Sequence, residues 1–190
     1  MQKTFHTNLS EKDLDKWIKQ LENYDKLMDE ACKNIVKDLS QFGAKKMRNI
    51  HQQSAYKSET PMEFKIEGTE HEKTVSMSGQ QAIYEEFGTG TMGAENQHPL
   101  KKEFELDDYN SHTIENGGTI RYNKSANSKA TQEGIPVGGL YWTYKNAKGK
   151  RVYTQGIPAV REGYDSYMAT LKKAPSVVKK RTEEVFNKGV

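Results

Sequence analysis

The 190-residue sequence predicts an α+β fold: a long N-terminal helix and a C-terminal helix packed on a small antiparallel sheet, with a long mobile loop. Three observations predict it. Apolar residues recur every three or four positions near both ends of the chain, they alternate with polar residues in two central stretches, and periodicity is lost between about 92 and 139. The chain reads as a single domain over 1–190. An amphipathic helix covers 10–53, strands of the sheet fall within 60–90 and 140–156, an extended arm or loop covers 91–139, and the last helix covers 160–188.

Ser10 opens the first helix, because its hydroxyl can cap a first turn in which Glu11 and Asp13 place negative charge where the helix dipole favours it. Leu14, Trp17, Ile18, Leu21, Tyr24, Met28, Ala31, Ile35, Leu39 and Phe42 then form one stripe, with Lys, Glu and Asp opposite. Gly43 interrupts the stripe, which Met47 and Ile50 can extend. Unbroken from 11 to 50, such a helix would run about 60 Å at 1.5 Å per residue. A small compact domain cannot cover that length, so the helix is expected to bend near Gly43 or to pack part of its stripe on another subunit.

Met62, Phe64 and Ile66 alternate up to Gly68, and Thr74 to Ser78 alternate up to Gly79, with a short charged connection between. This is a hairpin pattern. The stretch 82–87 reads equally as a helical turn or a strand. From 92 to 139 the polar runs and the pairs Gly117-Gly118 and Gly138-Gly139 leave no regular pattern, which suggests an arm that becomes ordered against partners. A second hairpin joins 141–144 to 151–154, where aromatic and β-branched residues flank a glycine-containing turn. In the last helix Tyr164, Leu171, Val178 and Val185 are spaced by seven, and Pro175 is expected to kink or split it.

Composition narrows the function. Hydrophobic residues make up 34% and charged residues 29%, with a mean hydropathy of -0.94. Ordinary domains hold roughly 45–50% apolar residues, glycine included. Part of the chain is therefore disordered or buries its surface only on joining neighbours. No stretch approaches the roughly 20 apolar residues that cross a bilayer. The start of the chain lacks the apolar core of a secretory signal, and the single Cys32 allows no internal disulfide, so a soluble protein made in a cytoplasm is expected. The net charge of +3 is unevenly spread: residues 61–110 hold 4 Lys and Arg against 11 Asp and Glu, and residues 111–190 hold 14 against 6. Such a division suits head-to-tail contact between identical subunits, though solvated faces without a partner would look the same.

No catalytic constellation stands out. Gly88-Thr89-Gly90-Thr91-Met92-Gly93 spells GxGxxG, but a dinucleotide site needs a buried strand before it and a helix opening within it. Here Glu85 and Glu86 precede it and would repel phosphate, and Pro99 follows soon after. His6, His51, His71, His98 and His112 show no metal-ligand spacing. Cys32 adjoins the apolar stripe without an evident base. The pairs Glu85-Glu86 and Asp107-Asp108 suit acid–base work no better than solvated carboxylates do. No catalytic, cofactor-binding or metal-ligating residue is assigned, and no cofactor is expected. Lys145, Lys148, Lys150 and Arg151 interleave with Trp142, Tyr144 and Tyr153 on the second hairpin, a pattern that can hold a nucleic-acid strand by phosphate contact and stacking. A small nucleic-acid-binding protein using its basic C-terminal half is therefore the alternative reading.

The segment Ala82-Ile83-Tyr84-Glu85-Glu86-Phe87-Gly88-Thr89-Gly90 resembles a motif of the tailed-phage minor tail-component, or head–tail joining and tail-completion, family. His98-Pro99, the strand Trp142-Thr143-Tyr144 and Gly156-Ile157-Pro158-Ala159 follow in the order that family shows. The resemblance spans about Ser10 to Phe186. It departs at Val160-Arg161, where family members often carry Pro-Phe. It implies a structural virion protein and not an enzyme: a ring-forming subunit of the phage neck, as a hexamer or matched to a twelve-fold connector, assembled in the host cytoplasm. Its implied partners are identical copies, the head connector and the tail terminator or tube, with loose contact to passing DNA and none to membrane. Glu85, Glu86, Phe87, Gly88, Thr89, Gly90, Trp142 and Tyr144 are then the expected interface residues. Phe87 would anchor a turn, and Glu85 and Glu86 would offer charge to a neighbour. On this reading Gly88→Val leaves the monomer soluble and abolishes joining.

Overall fold

A computed structural model describes residues 10–57, 61–79, 81–89, 93, 97–104, 112–113, 120–121, 134–135, 140–145, 151–154 and 156–188. In chain order the elements are α1 (Glu11–Gln53), β1 (Glu63–Gly68), β2 (Lys73–Ser78), α2 (Ala82–Phe87), β3 (His112–Thr113), β4 (Ile120–Arg121), β5 (Gly134–Ile135), β6 (Leu140–Lys145), β7 (Arg151–Thr154) and α3 (Glu162–Lys188). The fold is α+β, with the long first and last helices packed on a small antiparallel hairpin of β1 and β2. The loop expected over 91–139 lies mostly outside the described residues. Within that span β4 pairs β5, with Ile120 opposite Ile135, and β3 pairs β6, with His112 opposite Tyr141. The second hairpin forms as its alternation predicts, β6 facing β7 with Trp142 opposite Thr154 and Tyr144 opposite Val152.

Ser10 caps α1 as expected. Its Oγ accepts the Asp13 N–H at 3.2 Å, and its carbonyl accepts from Leu14 at 3.0 Å. Neither Gly43 nor Pro175 divides its helix. The 43 residues of α1 pass through Gly43 as one helix. A Cβ added at Gly43 would lie 3.2 Å from Thr170 Oγ1, so the glycine serves a close approach to α3 rather than a break. Likewise α3 runs through Pro175 without splitting; the proline leaves one carbonyl of the preceding turn without its helical donor, and the helix continues around it. The ambiguous stretch 82–87 is a helix, not a strand.

The chain gathers into two compact units. The first comprises Met1–Gly43, Ile66–Val75 and Ala169–Val190. Here Arg181 ties α3 to α1, donating to Asp38 Oδ2 from Nε at 2.9 Å and Nη2 at 2.7 Å while Nη1 holds Glu184 at 2.8 Å. These two carboxylates hold the guanidinium above its ordinary pKa. Lys33 bridges Asp29 on its own helix and Glu70 at the hairpin tip, each at 3.0 Å, and His71 reaches Asp29 at 2.7 Å. Such exposed pairs set register more than stability. Buried apolar side chains are scarce: among the described residues this unit has Ala31 and Val185.

The second unit comprises Ala44–Lys65 and Ser76–Met168. Among its described residues the buried apolar ones are Ala44, Met47 and Phe87, outnumbered by buried polar ones that include His51, Glu85, Thr89, His98 and Glu162. Among the described residues no helix is long and apolar enough to cross a membrane.

Candidate functional site

Two segments far apart in sequence are laced together within the second unit. α2 spans only six residues and ends at Gly88, whose φ of +72° lies in the left-handed region and whose N–H returns to the Tyr84 carbonyl at 2.8 Å. Residues 85–89 then run beside 156–160. Thr89 N–H donates to the Ile157 carbonyl at 2.8 Å, and Ile157 N–H donates back to Thr89 Oγ1 at 3.1 Å. Val160 N–H donates to the Glu85 carbonyl at 2.7 Å. The strands of this clasp lie too close for side chains at their glycines. A Cβ at Gly88 would lie 2.6 Å from Ala159 N, and one at Gly156 would lie 1.9 Å from the Thr89 carbonyl oxygen. Gly88→Val therefore acts first on the folding of this unit and not selectively on assembly.

Glu86 closes the clasp onto α3. Its Oε2 accepts Gly163 N–H at 2.7 Å and its Oε1 accepts Tyr164 N–H at 2.9 Å, so a carboxylate from a distant element caps the first turn. Oε1 also receives His98 Nε2–H at 3.0 Å. The tautomer is set by the other ring nitrogen, because His98 Nδ1 accepts Leu100 N–H at 3.0 Å. The His98 ring lies against Phe87, with centroids 4.4 Å apart, and meets Tyr164 edge-on at 5.2 Å. Phe87 meets Phe104 at 5.4 Å. Phe87, His98, Phe104 and Tyr164 thus form one connected set of rings, tied to the start of α3 through Glu86 and Tyr164.

Beneath it lies a buried trio. His51, two residues from the end of α1, places Nδ1 3.0 Å from Glu85 Oε2 and 3.5 Å from Glu162 Oε1. Both carboxylates are fully buried, at 0% exposure, and neither oxygen of Glu162 has a hydrogen-bond partner. Burial pushes the Glu162 carboxyl up to about 8, and the neighbouring Glu85 and Glu86 carboxylates add to the shift. One ligand atom from each of the three side chains can be chosen so that all lie within 4.8 Å of one another. The trio can share a proton or hold a cation. Its burial keeps it from meeting a substrate out of solvent. No family model, curated protein or solved structure matches the chain.

Of the residues singled out in the sequence, Glu85, Glu86, Phe87, Gly88 and Thr89 meet in the clasp. Gly90 lies outside the described residues. Trp142 and Tyr144 sit on β6 at alternate positions. Glu85 and Glu86 turn inward to His51, His98 and the start of α3, so neither presents charge to a neighbour. The helix α2 in front of Gly88, where a dinucleotide site would need a strand, removes the last support for the GxGxxG reading. Sequence spacing missed His51 and Glu162. The available signal was the register of α1, since His51 lies four residues beyond the buried Met47 and so continues the inward face. Cys32 is an exposed thiol.

Proposed function

We propose that the chain is a structural subunit of a tailed-phage neck, assembling with copies of itself into a ring that joins the head connector to the tail. The observation that carries this reading is the apolar surface left uncovered on the first unit. Ile18, Leu21, Leu171 and Val178 are between 43% and 50% exposed, on two helices whose buried apolar residues are few. A helix face this apolar is usually covered in the working state of the protein, and a second copy of the same chain is the cover always present at matching concentration. The clasp supports the reading independently. Two of the four stretches that carry the resemblance to tail-completion proteins, 82–90 and 156–159, are joined by hydrogen bonds between Thr89 and Ile157, as parts of one module should be.

Native mass measurement tests this on the purified protein, alone and mixed with connector subunits. Closed assemblies of a fixed copy number are expected. A monomer at every concentration, with the connector present, would overturn the proposal. Binding of the isolated monomer to DNA that falls steeply with salt would instead favour a nucleic-acid role for the basic C-terminal half.

A further inference from the structure

We propose that His51, Glu85 and Glu162 form a binding site for one first-row divalent cation of the zinc class, held inside the second unit between the end of α1, α2 and the start of α3. The site does not depend on the neck reading and stands on the geometry of the trio.

One imidazole and two carboxylates are a recurrent ligand set for such ions. A tetrahedral centre with bonds of about 2.0–2.1 Å holds its ligand atoms about 3.3 Å apart. The spacings from His51 Nδ1, 3.0 Å to Glu85 Oε2 and 3.5 Å to Glu162 Oε1, bracket that edge. The third edge, between the two carboxylates, is bounded at 4.8 Å, so a bound cation would draw Glu85 and Glu162 toward each other.

The second argument is the unmet demand of Glu162. Its carboxylate is fully buried with neither oxygen hydrogen-bonded, beside a second buried carboxylate. Buried charge of one sign is costly unless something answers it, and His51 can bring at most one positive charge to two carboxylates. A divalent cation would answer both carboxylates at once. Glu86 is nearby but committed, since its oxygens already take Gly163 N–H, Tyr164 N–H and His98 Nε2–H.

The backbone also holds the ligands in place. The Glu85 carbonyl is fixed by Val160 N–H at 2.7 Å. Arg161, immediately before Glu162, has a φ of 59°, in the left-handed region that non-glycine residues seldom enter. Such a strained residue persists where its surroundings determine it, and here it sets the turn from which Glu162 enters the interior. A hard cation is a poor match. Calcium takes about six to eight oxygens, and magnesium keeps several waters, whereas this closed trio offers three protein ligands including a nitrogen.

The test uses the full-length protein stripped with EDTA and dialysed. Isothermal titration with ZnCl2 is expected to show one ion per chain, with a Tm raised by at least about 5 °C at saturating metal. MgCl2 should leave Tm unchanged, and CoCl2 should give the visible absorption of a tetrahedral centre. Glu162→Gln keeps the shape of the side chain and is expected to fold with an apo Tm no lower than wild type while binding zinc at least tenfold more weakly. His51→Gln should abolish the cobalt spectrum. Absence of zinc binding in the wild type, an equal Tm shift from magnesium, or undiminished zinc binding in a folded Glu162→Gln protein would each overturn the proposal.

Discussion

At the scale of single residues, Glu86 shows how one side chain can organise two segments. Its carboxylate accepts two N–H groups at the start of α3 and one from buried His98. Removing it strands a buried imidazole N–H and leaves two helix donors unanswered. Glu86→Ala is expected to cost about 3 kcal/mol of unfolding free energy, and Glu86→Gln, which keeps one acceptor oxygen, about 1 kcal/mol. Urea denaturation of both variants checks this, and equal stabilities would show that the cap is inert. None of these pairings is legible in the sequence. The Glu-Phe-Gly-Thr run marks a turn, but its partners lie up to 78 residues away, and local spacing carries no information at that range. Val160 belongs to the same lacing. Its N–H donates to the Glu85 carbonyl at 2.7 Å, and a proline at that position would have no N–H to give.

At the scale of elements, the sequence is more readable where a stripe or an alternation is long. Ser10 and the three- and four-residue steps place α1, and the alternation of Met62, Phe64 and Ile66 places β1, because each pattern is dictated by a local period. The sequence is less readable at single positions inside a helix. Gly43 and Pro175 look like breaks in isolation, yet both lie inside long helices whose remaining hydrogen bonds outweigh one weak position. Their roles differ. Gly43 makes room for Thr170, whereas Pro175 is exposed and withholds a donor from the helix. Pro175→Ala is therefore expected to raise stability by about 1–3 kcal/mol, read as a higher urea midpoint with an unchanged slope. An unchanged midpoint would mean that the preceding turn already satisfies its carbonyl elsewhere.

At the scale of the whole molecule, the low apolar content has a location. Among the described residues the second unit buries a largely polar clasp, and the first leaves apolar residues of α1 and α3 half-exposed. A stable interface buries about 800 Å² on each partner and draws most of its strength from a few apolar or aromatic anchors. Leu21 on α1 and Leu171 on α3 are 43% and 48% exposed. On the proposed self-association, placing a charge at each would therefore disturb contact with a second copy far more than the fold. The double variant Leu21→Glu, Leu171→Glu is expected to keep its far-UV circular dichroism and to lose no more than about 1 kcal/mol of stability, since substitutions at exposed positions usually cost little. Under conditions where the wild type assembles, it should remain monomeric, with association weakened at least about tenfold per buried charge. Sedimentation velocity on both proteins reads this directly. If the double variant assembles as the wild type does, the exposed helix faces are not the contact, and the divided charge of residues 61–110 and 111–190 becomes the surface to test.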